Sequence, residues 1–194
     1  DGEGARMYEA CEALCDALII TGTAVDGGKD SLSMAAADGE GGVCRSPGAL
    51  TLTAYATCTD ITATITPDLK RGGGGLVFVD LGSSALGGSA LAQALGQLGA
   101  EAPDSDVEST TKAFDVVQTL IKDQLIVAGH DRSDGGLVTT LLEMAFAGGC
   151  GISCSFTGSD WASVLFNEAP GIVVQCASGK ESAVLQAFAG LNVV

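Results

Sequence analysis

Apolar positions recur every three or four residues from Ala5 through Met7, Tyr8, Cys11, Leu14, Cys15, Leu18 and Ile19. That spacing predicts an amphipathic helix over residues 5–20. A short apolar stretch ending at Val25 then meets Asp26-Gly27-Gly28-Lys29-Asp30-Ser31, a loop signature. Over residues 50–58 the period falls to two and Thr is frequent, which predicts a half-buried strand, prolonged or left by residues 59–65. Residues 67–75, with four glycines at 72–75, form the best linker candidate.

Beyond the glycines, residues 75–81 are a short apolar run of the kind expected of a strand covered on both faces. Gly87-Gly88-Ser89 opens a helical pattern that ends at Gly99, and a second helix is predicted over 108–124. Residues 125–128 read as a strand ending at Gly129-His130-Asp131. A third helix follows from Gly135 or Gly136 to Gly148-Gly149. Residues 152–156, 171–176 and the final 191–194 are further strand candidates. This alternation predicts an α/β or α+β fold, with no internal repeat or coiled coil.

Composition narrows the function. Of 194 residues, 46% are hydrophobic and 5% aromatic, so the core must be built from aliphatic side chains. Nine Lys+Arg against 24 Asp+Glu give a net charge of −15. Such a chain lacks the basic footprint of nucleic-acid binding, and a polybasic membrane patch is equally excluded. No apolar run reaches the 18 residues of a membrane span, and Asp1-Gly2-Glu3-Gly4 does not begin a signal peptide. The seven Cys (11, 15, 44, 58, 150, 154 and 176) form no zinc-ligand spacing. They read as small buried apolar residues in a reducing, cytoplasmic setting, or an organelle if a transit peptide lies upstream.

Three constellations could carry chemistry. Gly129-His130-Asp131-Arg132-Ser133-Asp134-Gly135-Gly136 joins a strand to a helix, a common ligand position. Ser133 or Asp134 can cap the helix, and the glycines let a ligand approach backbone N–H groups at its positive end. Asp131 and Asp134 offer the oxygen ligands that Mg²⁺ prefers. His130 reads either as a general base or as a core residue bonded to backbone. The second constellation, around Lys29, fails as a Walker A loop, because Thr23 stands at the first Gly position and Asp30 follows the Lys. Its Lys29 and Asp30 can still touch a phosphate and its metal. The third is Leu165-Phe166-Asn167-Glu168, where Glu168 is either a cleft carboxylate or part of a solvated turn.

In this order the pieces resemble the formylglycinamidine ribonucleotide synthase (phosphoribosylformylglycinamidine synthase) family. The resemblance is carried by residues 25–34, 60–67 (Asp60-Ile61-Thr62 onward), 86–93, 129–137 running into 142–148, and Leu165-Phe166-Asn167-Glu168. It covers nearly the whole chain. It implies a segment of the second of two aminoimidazole-ribonucleotide-synthase-like (PurM-like) copies within a longer ligase. Residues 1–68 would be the end of a sheet-forming N-terminal subdomain, 69–75 a Gly-rich linker, and 76–194 most of the C-terminal α/β subdomain.

The family reaction implied is the ATP-driven conversion of formylglycinamide ribonucleotide to its amidine with glutamine-derived ammonia, through an iminophosphate. The resemblance makes Asp131 a Mg²⁺ ligand and Ser133 a contact to a bound ATP or ADP in an auxiliary site. Lys29 is a further cofactor-binding candidate, while Asp30 and Glu168 belong to shared motifs without an assigned role. Remaining metal ligands are expected upstream, so the segment alone is expected to be inactive. Packing on the first synthase-like copy and on a glutaminase domain is expected in the parent enzyme. Two alternatives stand beside this reading: a non-catalytic module stabilised by nucleotide, and another ATP enzyme of the same fold, such as aminoimidazole ribonucleotide synthase or a selenophosphate synthetase.

Overall fold

The computed structural model describes residues 2–31, 34–156 and 160–194. Leu32 and Ser33 of the 25–34 motif, and Asp1, lie outside the described residues. The chain divides into two compact units, Asp1–Thr59 and Asp60–Val194. No described helix is long and apolar enough to cross a membrane.

In the first unit the predicted helix is α1 (Glu3–Thr21). It is closed by Gly22 at φ +65°, whose N–H and that of Thr23 return to Ile19 O and Leu18 O. Two three-residue strands, β1 (Ala35–Ala37) and β2 (Val43–Arg45), pair antiparallel. Asp38 Oδ1 holds their turn by accepting the N–H groups of Glu40 and Gly42, and these bonds keep its carboxyl below the usual aspartate range. Residues 50–58 are not a strand. Their alternation supplies a face but no partner, and a strand forms only where a neighbour takes up its backbone bonds. Among the described residues of this unit none is buried, so Cys11, Cys15, Cys44 and Cys58 are exposed rather than core residues.

The second unit is built on a four-stranded sheet. Its strands are β3 (Leu76–Asp80), β4 (Ile126–Asp131), β5 (Gly171–Cys176) and β6 (Asn192–Val193), in the order β4-β5-β3-β6. All named pairings are antiparallel. Helices cover both faces, as the continuous apolar runs required. On one face, Val117 and Leu120 of α3 (Val107–Lys122) and Val184 of α6 (Glu181–Ala187), with Phe188, pack on Val77, Val79, Ile126, Val174 and Cys176. On the other, Leu137 and Met144 of α4 (Gly136–Gly148) pack on Phe78, Ala128 and Val173. A bulge between Ile126 and Ala128 lets these two residues serve opposite faces, which simple alternation forbids.

Several expectations change. The helix after Gly87-Gly88-Ser89 is short, α2 (Ala90–Ala94), with the Ser89 hydroxyl capping Ala92 N–H. Residues 152–156 are not a strand. They lead toward α5 (Trp161–Phe166), where Phe156 and Trp161 meet edge to face at 6.3 Å. Cys154 is exposed, and of the seven thiols only Cys176 is buried, where loss of solvent pushes its pKa up. Within the second unit, the Gly-rich stretch is fastened to the sheet. Gln175 Oε1 accepts Lys70 N–H at 2.7 Å, and Gly74 N–H donates to Cys176 O at 2.8 Å.

Candidate functional site

The strand-to-helix turn after β4 borders a cavity of about 720 Å³ in the second unit. Its polar lining includes Asp131, Ser133, Asp134 and Glu168, with the Gly87-Gly88 turn. The lining also includes the apolar Leu81, Ala113, Phe114, Val117 and Ile172. Phe114 is 62% exposed although it sits on α3, so part of the helix surface opens to this space rather than to the core.

Four neighbouring residues of the motif do four different things. His130 is one-fifth exposed. Its Nε2 lies 2.6 Å from Glu143 Oε2 on α4, and its Nδ1 lies 3.1 Å from Asp131 Oδ1. Neither ring nitrogen bonds to backbone, so the core-histidine expectation is replaced by a bridge between two carboxylates. Asp131 leaves its side chain 75% exposed at the cavity mouth, while its carbonyl accepts the Thr140 hydroxyl at 3.1 Å. Arg132 is buried in the wall of the same cavity. It donates to Ala169 O through Nε, and through Nη2 to Asp80 Oδ1 at 2.7 Å and Pro170 O at 3.0 Å. Its guanidinium also lies 5.0 Å from the Phe78 ring centroid. It is therefore a tie between strand ends. Ser133 is exposed and faces the cavity, with its carbonyl accepting Gly136 N–H.

The helix cap differs from expectation. Gly135 is the N-cap at φ +85°, and neither Ser133 nor Asp134 caps α4. The Gly135 N–H is taken by Glu168 Oε1 at 2.7 Å, and the same oxygen accepts Ala90 N–H at 2.8 Å. Glu168 is thus a cleft carboxylate at two helix starts, and the solvated-turn alternative falls. Its neighbour Asn167 is buried, with Nδ2 donating to Ser83 O and Ala85 O. Sequence spacing gives no hint of these bonds, because the partners of Glu168 lie 33 and 78 residues away.

Lys29 belongs to the first unit. Its Nζ donates to Ser31 Oγ at 2.9 Å and to Asp30 O at 3.2 Å, folding the loop onto itself. Among the described residues no group of three or more His, Cys, Asp and Glu side chains is arranged to hold a metal. Asp131, and Asp134 beside it, fit a Mg²⁺ shell in a limited way. Mg²⁺ keeps several waters and is commonly held by one or two carboxylates plus phosphate oxygens, and an exposed carboxylate at a cavity mouth suits that role.

The family described as AIR synthase related protein, C-terminal domain, matches residues 73–194, and the FGAR-AT PurM_N-like domain matches residues 1–57. Phosphoribosylformylglycinamidine synthase of Homo sapiens is 52% identical over 200 residues, covering 98% of this chain and 15% of the human protein. A probable phosphoribosylformylglycinamidine synthase of Arabidopsis thaliana, described as chloroplastic/mitochondrial, is 51% identical, covering 100% of this chain and 14% of its own length. Among solved structures, T. maritima PurL complexed with FGAR superposes with a TM-score of 0.54 at 12% identity, covering 69% of this chain and 25% of that one. That likeness is one of fold. The chain spans about one-seventh of the length of these curated relatives. It is homologous over its length to phosphoribosylformylglycinamidine synthases and, through residues 73–194, belongs to the AIR synthase related protein family.

Proposed function

We propose that this chain supplies part of a Mg–nucleotide site within a glutamine-dependent, ATP-consuming ligase that converts formylglycinamide ribonucleotide to formylglycinamidine ribonucleotide. The observation that carries the reading is the cavity of about 720 Å³. It brings Asp131, Ser133 and a glycine turn together with apolar side chains in one lining. A volume in the range of about 300–1,000 Å³, mostly apolar with a few convergent polar groups, is what small-molecule sites offer. The names of the relatives at 52% and 51% identity support the ligase assignment.

In this reading the Asp131 carboxylate is the chain's ligand to Mg²⁺, and the Ser133 hydroxyl hydrogen-bonds a phosphate oxygen of ATP or ADP. Lys29, in the first unit, is a phosphate-contact candidate in its own right once its ammonium leaves Ser31. Mg²⁺ supplies charge neutralisation to the phosphates, which matters in a chain of net charge −15. Ammonia derived from glutamine, and the ribonucleotide substrate, meet in the parent enzyme, where this segment also packs on a further synthase-like copy and a glutaminase domain.

The test is calorimetric titration of Mg–ADP into the full-length protein and its Asp131→Asn variant. Losing one charge-assisted contact weakens binding by roughly 10- to 100-fold. Binding unchanged within about twofold, a change too small for a lost charge-assisted contact, would remove Asp131 from the metal.

A further inference from the structure

Glu168 does more than end a turn. One of its oxygens, Oε1, accepts both the Gly135 N–H and the Ala90 N–H, at 2.7 and 2.8 Å. These donors stand at the starts of α2 and α4, just after two loops whose Gly87, Gly88, Ser133 and Asp134 line the same cavity. A shared acceptor fixes the distance between the two loops, because neither can move without losing its bond or dragging the other.

The backbone that carries Glu168 is itself held independently. Asn167 Nδ2 donates to Ser83 O and Ala85 O at 2.6 and 2.7 Å, and its Oδ1 accepts Ala169 N–H at 2.8 Å. Arg132 grips the carbonyls of Ala169 and Pro170. The turn is therefore anchored by amide and guanidinium contacts, which reach Ser83, Ala85 and Arg132, while the carboxylate takes the backbone N–H groups at the two helix starts. Its charge also suits the start of α4, where the backbone dipoles favour an anion.

We propose that Glu168 is a positioning residue for this site. Its carboxylate sets the spacing of the two loops and so aims Ser133 and Asp131 into the cavity. This rests on the Mg–nucleotide reading above. The division of labour within the turn separates the role from general stability: removing the carboxylate leaves the Asn167 and Arg132 anchors in place, so the loops lose register while the sheet and its helices persist.

The experiment uses the full-length protein with Glu168→Ala, Glu168→Gln and Glu168→Asp, with Mg–ADP as the titrated probe. Amide exchange is read at Gly135 and Ala90. Glu168→Ala should weaken Mg–ADP binding by about 10-fold or more, as loss of a supporting shell does, and should speed exchange at both amides together. Glu168→Gln keeps an oxygen acceptor at the same reach and should return affinity to within about threefold of the parent, well inside the loss from removing the support. Glu168→Asp is one methylene short of spanning both donors and should behave as the Ala variant does.

Two results would overturn the proposal. One is a lower thermal midpoint with Mg–ADP affinity and Ser133-loop exchange unchanged, the mark of a merely structural residue. The other is a Gln variant as weak as Ala with both amides still protected, which would make the charge itself a ligand contact. If the unmutated protein fails to bind Mg–ADP, the nucleotide reading falls. If it binds and Glu168→Ala binds equally well, only the role of Glu168 falls.

Discussion

Arg132→Met keeps a side chain of similar length over the Phe78 ring and deletes the guanidinium, isolating the tie across the strand ends. In the parent the Arg132 side chain is 2% exposed and Asp80 28% exposed, with Nη2 and Oδ1 2.7 Å apart. Breaking a buried pair by removing one partner costs about 3–5 kcal/mol, because the remaining charge stays buried. Asp80 keeps some access to water, which puts the loss near the lower end, about 3 kcal/mol. The Ala169 and Pro170 carbonyls also lose a donor, while methionine packing offsets part of that.

Native-state hydrogen exchange along β5 reads this locally, whatever the length of the parent protein. A loss of about 3 kcal/mol corresponds to roughly 150-fold lower protection, since about 1.4 kcal/mol is a factor of ten. Adding Asp80→Asn to Arg132→Met removes the orphaned charge, so the double variant should be better protected than Arg132→Met alone. Arg132→Lys keeps the charge but not the fork of donors, and should recover less than half of the loss. A shift below about fivefold, the size of an ordinary surface change, would refute the tie. So would an Asp80→Asn effect that is the same with and without Arg132.

Two further outcomes follow from local geometry. A Cβ on Gly136, at φ +76°, would lie 2.6 Å from Leu165 O and 2.7 Å from Phe166 carbons, so Gly136→Ala should cost about 3 kcal/mol or more. Gly88 has a similar φ of +73° with open space around it, so Gly88→Ala should cost only about 1–2 kcal/mol when both variants are measured by urea titration. Equal costs would show that the close approach to Phe166 is not real. The Asp106 side chain caps α3, and the Ser109 hydroxyl and N–H, with the Glu108 N–H, hold its carboxyl below the usual aspartate range. A folded pKa below the unfolded one stabilises the cap fully above the ordinary value, and that support is lost as pH falls through the folded one. Carbon NMR titration of Asp106 should show the low midpoint, and a midpoint at or above the ordinary value would refute the cap.

Periodicity located the elements that bury a full face. α3, α4, β3 and β5 each carry enough apolar residues to reach one side of the sheet or both, and the pattern made them visible. The same alternation over residues 50–58 misled, because a half-apolar face says nothing about whether a partner strand is at hand. α5 and α6, at six and seven residues, are too short for the helical period to declare itself. In the 129–136 motif, residue type alone singled out Asp131, Ser133 and Asp134 and gave Arg132 no role. The strand pleat then sent Arg132 inward to Asp80 and left Asp131 in solvent. The capping of α4 was illegible for a different reason. Local chemistry offered Ser133 and Asp134, and the acceptor came instead from Glu168 across the fold.

The sheet order has a consequence for how the chain is made. β3 and β4 share no ladder with each other, and both pair with β5, whose residues follow them by 40 or more positions. Until Gly171–Cys176 emerges from the ribosome, two apolar strands wait with unpaired edges, and among the described residues only the Thr66 bridge gives β4 a backbone pairing. Closing such distant pairings is intrinsically slow, and open edges are where chains associate wrongly. The last strand to arrive at the centre thus decides when the second unit can close. Any break in synthesis between Asp131 and Gly171 would leave a product whose main tendency is to aggregate.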